Sequence, residues 1–337
     1  MNSSEYAELL GIDGLGAALD DVGEQLDIAL AGTPELVAPS QRMLDAGGKR
    51  LRPLLTIASA VICDGTISVD PLDERVRHGS AAVELVHVGS LVHDDIIDIA
   101  ATRRGVPTVN AVEGPDQALL VGDFLLARAG IEAAHVSKEV AMSLAVTLSD
   151  LCDGQSLEGL WQARADRSVA DAILSIRGKT GALMRAACDI GAYCVGANSH
   201  APALAEFGMN FGCAFQLVDD LLDLTSTEEL MGKPVNNDVK SGVFTAPMLF
   251  GVELLDDKST ARRLMELAAT DDGAADDFRR LVLSTSAVQN TLELIREYND
   301  KAVDALRTLP ASATKQGMAS LPKTYLDEIL MEKSVAS

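Results

Sequence analysis

The sequence predicts an all-α protein on three observations. Apolar residues recur at helical spacing over most of the chain, strict strand-like alternation is hard to find, and the interruptions carry turn chemistry. In order, the apolar period predicts helices over 54–63, 80–99, 117–134, 138–151, 169–188, 203–224 and 286–306. The breaks are Asp64-Gly65, Gly105-Val106-Pro107, Gly114-Pro115, Gly196-Ala197-Asn198, Gly232-Lys233-Pro234 and Asp272-Gly273, rich in residues that favour turns. With no low-complexity linker and no short-period repeat, the expectation is a single domain, residues 1–337, of ten or more helices. The 80–99 helix is apolar nearly all round until its end and is therefore expected at the centre. The polar stretches 102–116 and 225–242 are expected as long loops, which in compact helical proteins are often functional.

Composition narrows the function. The 337 residues carry a net charge of −22, with 47% apolar and 4% aromatic residues. That hydrophobicity supports a sizeable core and excludes a disordered acidic tail. The negative charge, with no Lys/Arg block, argues against nucleic acid. Met1-Asn2-Ser3-Ser4-Glu5 lacks the basic, apolar character of a signal peptide. No stretch approaches the ~18–20 apolar residues of a transmembrane segment. Cys63, Cys152, Cys188, Cys194 and Cys213 form no Cys-x-x-Cys pair and read as buried reduced thiols of a cytoplasmic protein.

Two acidic motifs carry the chemistry. Leu91-Val92-His93-Asp94-Asp95-Ile96-Ile97-Asp98 is echoed by Leu217-Val218-Asp219-Asp220-Leu221-Leu222-Asp223, and each closes a long apolar helix. In each set two Asp stand four residues apart, on one helix face and about 6 Å from each other. Like charges repel at that spacing, and a helix C-terminus disfavours anions, so the carboxylates need a cation. Hard oxygen donors suit Mg²⁺, which keeps several waters and shares phosphate oxygens. A solvated acidic helix end would explain one such motif; two copies in matching apolar contexts make that improbable.

Basic residues are scarce, so their grouping is informative. Gly47-Gly48-Lys49-Arg50-Leu51-Arg52-Pro53 sets three cations after two glycines, where a backbone can approach an anion and a guanidinium fork fits a diphosphate. Thr102-Arg103-Arg104-Gly105 follows the first acidic motif, Lys179-Thr180 stands alone, and Gly232-Lys233-Pro234 follows the second motif. Arg103 is near enough to Asp98 to pair with it, but adjacent arginines point in different directions, so one ion pair does not explain both. Glu84-Leu85-Val86-His87 and Glu132-Ala133-Ala134-His135 fit the Glu-x-x-His pairs of di-iron bundles. That loose pattern leaves both aspartate motifs without a role.

Together with Gly122-Asp123-Phe124-Leu125, Phe215-Gln216 and Asp238, these ordered motifs resemble those of the trans-isoprenyl diphosphate synthases, the polyprenyl synthetase family. The resemblance covers residues 30 to 325 or so. It implies the isoprenoid synthase fold, helices around a central apolar cavity, usually as a homodimer. It implies a Mg²⁺-dependent prenyltransferase that joins isopentenyl diphosphate head-to-tail to an allylic diphosphate. Asp94, Asp95, Asp98, Asp219, Asp220 and Asp223 would hold the metal. Arg103, Lys179, Thr180, Gln216 and Lys233 would contact the allylic diphosphate, and Lys49, Arg52, His87 and Arg104 would hold isopentenyl diphosphate. Of these, Asp94, Asp98, Arg103, Lys179, Asp219 and Lys233 are the expected catalytic set. The chemistry agrees: ionisation leaves a concentrated anion that Mg²⁺ and Lys/Arg stabilise, and the allylic cation demands a dry pocket.

Product length follows from the same resemblance. Gly89, five residues before Asp94, occupies a position where short-chain members often have an aromatic, about 7–8 Å below the metal. With Val86 and Ser90 it would line a chain-length pocket without a bulky floor, giving a product of C20 or longer. Replacing Gly89 with Tyr is then expected to shorten the product.

Two departures stand out. Val243 occupies a position where a Lys commonly follows the glycine, and 329–337 lacks the usual terminal arginines, for which Lys333 is the available substitute. These losses raise a second reading, a non-catalytic or regulatory subunit of a heteromeric synthase, which usually has eroded aspartate motifs. A class I terpene cyclase is a third, opposed by Gly48-Lys49-Arg50-Leu51-Arg52-Pro53, which a cyclase does not need.

Overall fold

The computed structural model describes residues 1–225, 237–268 and 270–332; Lys233 and Lys333 lie outside them. Helices α1 (Ser3–Leu10), α2 (Leu15–Ala29) and α3 (Pro34–Asp45) lead into α4 (Leu51–Cys63) and α5 (Glu74–Ile97). Local chemistry sets their starts. Asn2 and Glu5 form a capping box on α1, and Pro34 opens α3 where its missing N–H costs nothing. Asp73 accepts from the Arg75 and Val76 amides at 3.0 and 3.2 Å and so starts α5. α5 therefore begins six residues before the apolar period suggests, because a cap rather than hydrophobicity sets its end.

The stretch expected as a loop after the first acidic motif is more ordered than that. β1 (Thr102–Arg103) pairs antiparallel with β2 (Val106–Pro107), and the two turn residues, Arg104 and Gly105, have φ of 51° and 81°. Positive φ at both central residues is what a type I′ hairpin turn requires. Thr108 then caps the short α6 (Val109–Glu113). Next come α7 (Pro115–Val136) and α8 (Lys138–Leu160), the latter longer than expected.

Where the apolar period predicted one helix over 169–188, the chain forms α9 (Val169–Ile176), a π-helical turn at Arg177–Gly181, and α10 (Ala182–Cys194). A π turn admits an extra residue without ending the helix, so hydrophobic periodicity scarcely registers it. The chain continues through α11 (Ala201–Thr225), α12 (Asn237–Lys240), α13 (Ala246–Leu254), α14 (Lys258–Ala268), α15 (Asp272–Leu283), α16 (Ala287–Ala305) and α17 (Ala313–Glu332).

By Cα packing the chain divides into two compact units, each built from discontinuous segments. The first comprises Met1–Leu148, Leu183–Gly208 and Leu306–Met318. The second comprises the described parts of Ser149–Ala182, Met209–Ala305 and Ala319–Ser337. The chain passes from one to the other within α8, α10, α11 and α17 and at the end of α16, which fits the absence of linkers in the sequence.

The first unit is organised on α5, which packs against α2, α4 and α7. Ala81, Ala82, Val83, Leu85 and Val86 are all fully buried, as expected of a helix apolar on every side. In the second unit, Cys213, Leu217, Leu221 and Leu224 form the buried stripe of α11 that aims the second acidic motif. Phe244 and Phe278 meet edge-to-face at 5.9 Å, and Phe215 stacks on Tyr325 at 4.9 Å.

Among the described residues no helix is long and apolar enough to cross a membrane. All five cysteines are unbridged. Burial pushes the thiols of Cys63, Cys194 and Cys213 up to about 11, 12 and 12. Cys152 corrects the expectation of uniform burial, since it lies exposed on α8.

Candidate active site

Within the first unit, the Gly47–Arg52 segment and the hairpin assemble one cluster of guanidinium groups. Gly48 has φ of 148°, and a Cβ there would lie 2.8 Å from Arg104 Nη1, so only glycine allows that guanidinium onto the backbone. Arg104 donates to the Gly47 carbonyl and, at 3.3 Å, to His87 Nε2. Arginine has no acceptor, so His87 must accept at Nε2 and carries its proton on Nδ1. Burial among Arg52, Arg104, Arg103 and Arg50 holds its pKa well below the usual histidine value. It positions a guanidinium rather than adding charge.

Arg50, itself at positive φ of 47°, donates to Glu84 Oε1 at 2.6 Å and to the Leu44 carbonyl. Burial lowers Arg52 to about 10, against the pull of Glu84, and its Nε has no hydrogen-bond partner. Arg50, Arg52 and Arg104 thus surround one buried carboxylate, Glu84. Lys49 stands exposed beside them. Glu84 is engaged by Arg50, while Glu132 accepts from Gln25 at 2.9 Å and meets His78 Nδ1 at 2.6 Å. Neither Glu-x-x-His pair is therefore arranged as an iron ligand pair.

The hairpin separates the two arginines as their adjacency suggested. Arg104 turns to Gly47 and His87, whereas Arg103 Nε donates to Asp95 Oδ1 at 2.7 Å. The partner is Asp95 rather than the expected Asp98. Burial raises the Asp95 pKa, Arg103 opposes the rise, and Oδ2 is left without a hydrogen-bond partner. Asp94 is half-buried and Asp98, the C-cap of α5, is exposed.

The second unit repeats this plan. Asp220 is buried, Asp219 exposed and Asp223 half-buried. Gln216 Nε2 donates to Asp220 Oδ1 at 2.9 Å, and Thr180 Oγ1 donates to Gln216 Oε1 at 2.7 Å, joining three predicted residues in one chain. Burial, with Asp219 and Glu158 nearby, raises Asp220 to about 7. Burial beside Asp220, Asp223 and Glu158 likewise pushes Asp238 well above the carboxylate range. Lys179 Nζ pairs with Glu158 at 2.5 Å. Their approach rests on Gly154 and Gly178, since a Cβ on Gly178 would lie 2.6 Å from the Gly154 Cα.

Glu158, Lys179, Thr180, Gln216 and Asp220 line a pocket of about 100 Å³ with Arg167, Val243 and Thr245. Glu158, Arg167 and Thr245 carry no motif signal. Arg167 reaches the pocket from a loop 77 residues before its hydrogen-bond partner, Phe244. Only the scarcity of cations in an acidic chain would have drawn attention to it.

The donor set fits a divalent cation brought with a phosphate. Each motif has one buried carboxylate whose proton affinity is raised by burial, flanked by two that are more exposed. Among the described residues no three His, Cys, Asp or Glu side chains form a metal-sized group. Mg²⁺ usually takes one or two carboxylates and completes its shell with water and phosphate oxygens, so no all-protein cage is needed.

The chain-length role expected for Gly89 does not follow from its surroundings. A Cβ there would stand 3.1–3.3 Å from Leu126, Leu125 and the Gly122 carbonyl on α7. Gly89 serves the close approach of α5 and α7, and Val86 is fully buried in the same packing, with Ser90 half-buried nearby.

The polyprenyl synthetase family model matches residues 33–284. The chain is 34% identical over 312 residues to a geranylfarnesyl diphosphate synthase of Aeropyrum pernix, covering 88% of this chain and 95% of that one. A nonaprenyl diphosphate synthase of Mycobacterium tuberculosis is 31% identical over 308 residues, with 90% of each covered. The crystal structure of a Caulobacter crescentus polyprenyl synthase, complexed with calcium and isoprenyl diphosphate, superposes with a TM-score of 0.86 at 28% identity, covering 96% of this chain and 97% of that one. Two aspartate motifs with buried central carboxylates, a guanidinium cluster and matches of this length have one common reading: the chain belongs to the polyprenyl synthetase family.

Proposed function

We propose that this chain condenses isopentenyl diphosphate with an allylic diphosphate to form a polyprenyl diphosphate of C20 or longer. The observation that carries this reading is the gathering of cations in the first unit: Arg50, Arg52 and Arg104 around the single carboxylate Glu84. In a chain of net charge −22, three guanidinium groups gathered on one carboxylate leave cations in excess, which call for an anionic ligand. Lys49, Arg52 and Arg104 are assigned to isopentenyl diphosphate, with His87 orienting Arg104.

Lys179, Thr180, Gln216 and Arg103, with Lys233 outside the described residues, are assigned to the allylic diphosphate. Mg²⁺, held by Asp94, Asp95, Asp98, Asp219, Asp220 and Asp223, would supply electrostatic stabilisation of the departing diphosphate. The allylic C–O bond breaks with its electron pair passing to the diphosphate. The double bond of isopentenyl diphosphate then forms the new C–C bond, and the resulting cation loses a proton to the diphosphate. Lys179 and Arg103 stabilise the growing negative charge, and no protein general base is needed.

The geranylfarnesyl and nonaprenyl products named for two relatives support a long product, and exact length lies outside the Gly89 argument. Exposed Leu119, Leu120 and Ile131 on α7 and Met142 and Val146 on α8 support homodimer formation through apolar residues of these helices. Unbridged cysteines fit a reducing cytoplasm. The test is label from isopentenyl diphosphate entering a lipid-soluble product, given an allylic starter and Mg²⁺. Incorporation by the purified chain, abolished by EDTA, is expected. Product only after a second protein is added would support the regulatory-subunit reading, and hydrocarbon formed without isopentenyl diphosphate a cyclase.

A further inference from the structure

Val243 lines the pocket that also holds Lys179, Thr180, Gln216 and Asp220, at the position where a lysine is expected. Arg167 lines the same pocket. One backbone and one side-chain hydrogen bond bring it there: the Ala163 amide donates to the Gly242 carbonyl at 2.8 Å, and Gln162 Nε2 donates to the Ser241 carbonyl at 3.0 Å. Arg167 itself then donates to the Phe244 carbonyl at 3.1 Å and to Ser175 Oγ at 2.9 Å. Its guanidinium is thus fastened to the segment from which the lysine is missing.

Arg167 and Thr245 are each 7% exposed, and both keep an unmet donor, since Arg167 Nε and Thr245 Oγ1 have no hydrogen-bond partner. Buried donors are rarely left unmet, and these two line one pocket. The charged neighbours of Arg167 are Glu158, Asp220 and Asp171, of which Glu158 is paired with Lys179. Arg167 lies within electrostatic reach of buried Asp220 but donates its hydrogen bonds elsewhere, to Phe244 and Ser175.

We propose that Arg167, with the Thr245 hydroxyl, is a binding residue for the allylic diphosphate and takes the place of the lysine that Val243 displaces. The inference rests on the assignment of this pocket to the allylic substrate. A guanidinium offers a diphosphate two parallel donors where a lysine offers a point charge. The loss of Lys at 243 then leaves allylic substrate binding intact and removes one of the two departures that suggested an eroded subunit.

Calorimetric binding of an allylic thiodiphosphate, whose C–S bond resists ionisation, tests this in the presence of Mg²⁺ with the full chain. Arg167→Gln is expected to weaken that ligand ~10-fold or more, the scale of one charge-assisted contact, and to leave isopentenyl diphosphate affinity unchanged. Adding Val243→Lys to Arg167→Gln is expected to restore affinity to within about threefold of wild type. Unchanged thiodiphosphate affinity in Arg167→Gln, equal weakening of both ligands, or no restoration by Val243→Lys would overturn the proposal. Arg167→Lys, which keeps charge without the fork, gives the same comparison if the glutamine variant melts early; unchanged affinity there overturns it too. Lys179→Ala separates the two levels. If it binds the thiodiphosphate as wild type does, the pocket assignment itself is wrong.

Discussion

Asp95 and Asp220 hold the middle place in their motifs, and both are buried while a neighbouring aspartate stays open. Repetition of Asp-Asp-x-x-Asp made the outer carboxylates legible in the sequence. The inner ones were not distinguishable, because burial depends on what packs over the helix end. Arg103→Ala should leave buried Asp95 without its ion pair, at a cost of about 3 kcal/mol or more, visible as a lower unfolding midpoint as well as lower activity. An unchanged midpoint would show that the pair contributes nothing to the fold. Asp189 offers a pH signature away from the substrate residues. It is buried, accepts from Ser143 at 2.8 Å, and burial raises its pKa to about 7 from 3.8. The folded state therefore keeps its proton while the unfolded state loses it, so stability falls as pH rises from about 4 to about 7. The full span is worth about 4 kcal/mol. Asp189→Asn should flatten that slope and raise the melting midpoint at pH 8 above wild type; parallel profiles for the two proteins would contradict it.

Elements carry the next level, and two of them escaped the apolar period. The hairpin at 102–107 sends Arg103 and Arg104 to different partners through two consecutive positive φ angles. Adjacent arginines before a glycine hint at such a turn but do not identify it. The π turn at Arg177–Gly181 presents Lys179 and Thr180 where Gly154 on α8 leaves room. Gly154→Ala should force the turn outward, separating Lys179 from Glu158. A loss of about 1–3 kcal/mol is expected by denaturant titration, with a raised KM for the allylic substrate. Gly89 teaches the opposite lesson: a small residue at a suggestive spacing belongs to helix packing. Gly89→Tyr should lower the unfolding midpoint sharply; a stable variant making a shorter product would reinstate the floor of a chain-length pocket.

At the scale of the whole molecule, helical periodicity showed the fold class because it is a local property read over a few turns. Division into two units, each drawn from separated segments, is not local, and nothing in composition marks it. The exposed apolar residues of α7 and α8 also belong to this scale. Leu120→Glu should shift the light-scattering mass from dimer to monomer, and an unchanged mass would place the interface elsewhere. Net charge of −22 argues against extended polyanions yet is silent about diphosphates, since a few grouped cations decide that question. The residues assigned to the two diphosphates fall in different units, Arg52 and Arg104 in one and Lys179 and Thr180 in the other. Steady-state kinetics of Arg52→Met and Lys179→Ala against both substrates therefore test the assignment most directly. Arg52→Met should raise KM for isopentenyl diphosphate ~10-fold or more and leave the allylic KM near wild type, while Lys179→Ala should do the reverse. If both substitutions raised both KM values equally, or each affected the other's substrate, the division of the two diphosphates between these clusters would be wrong.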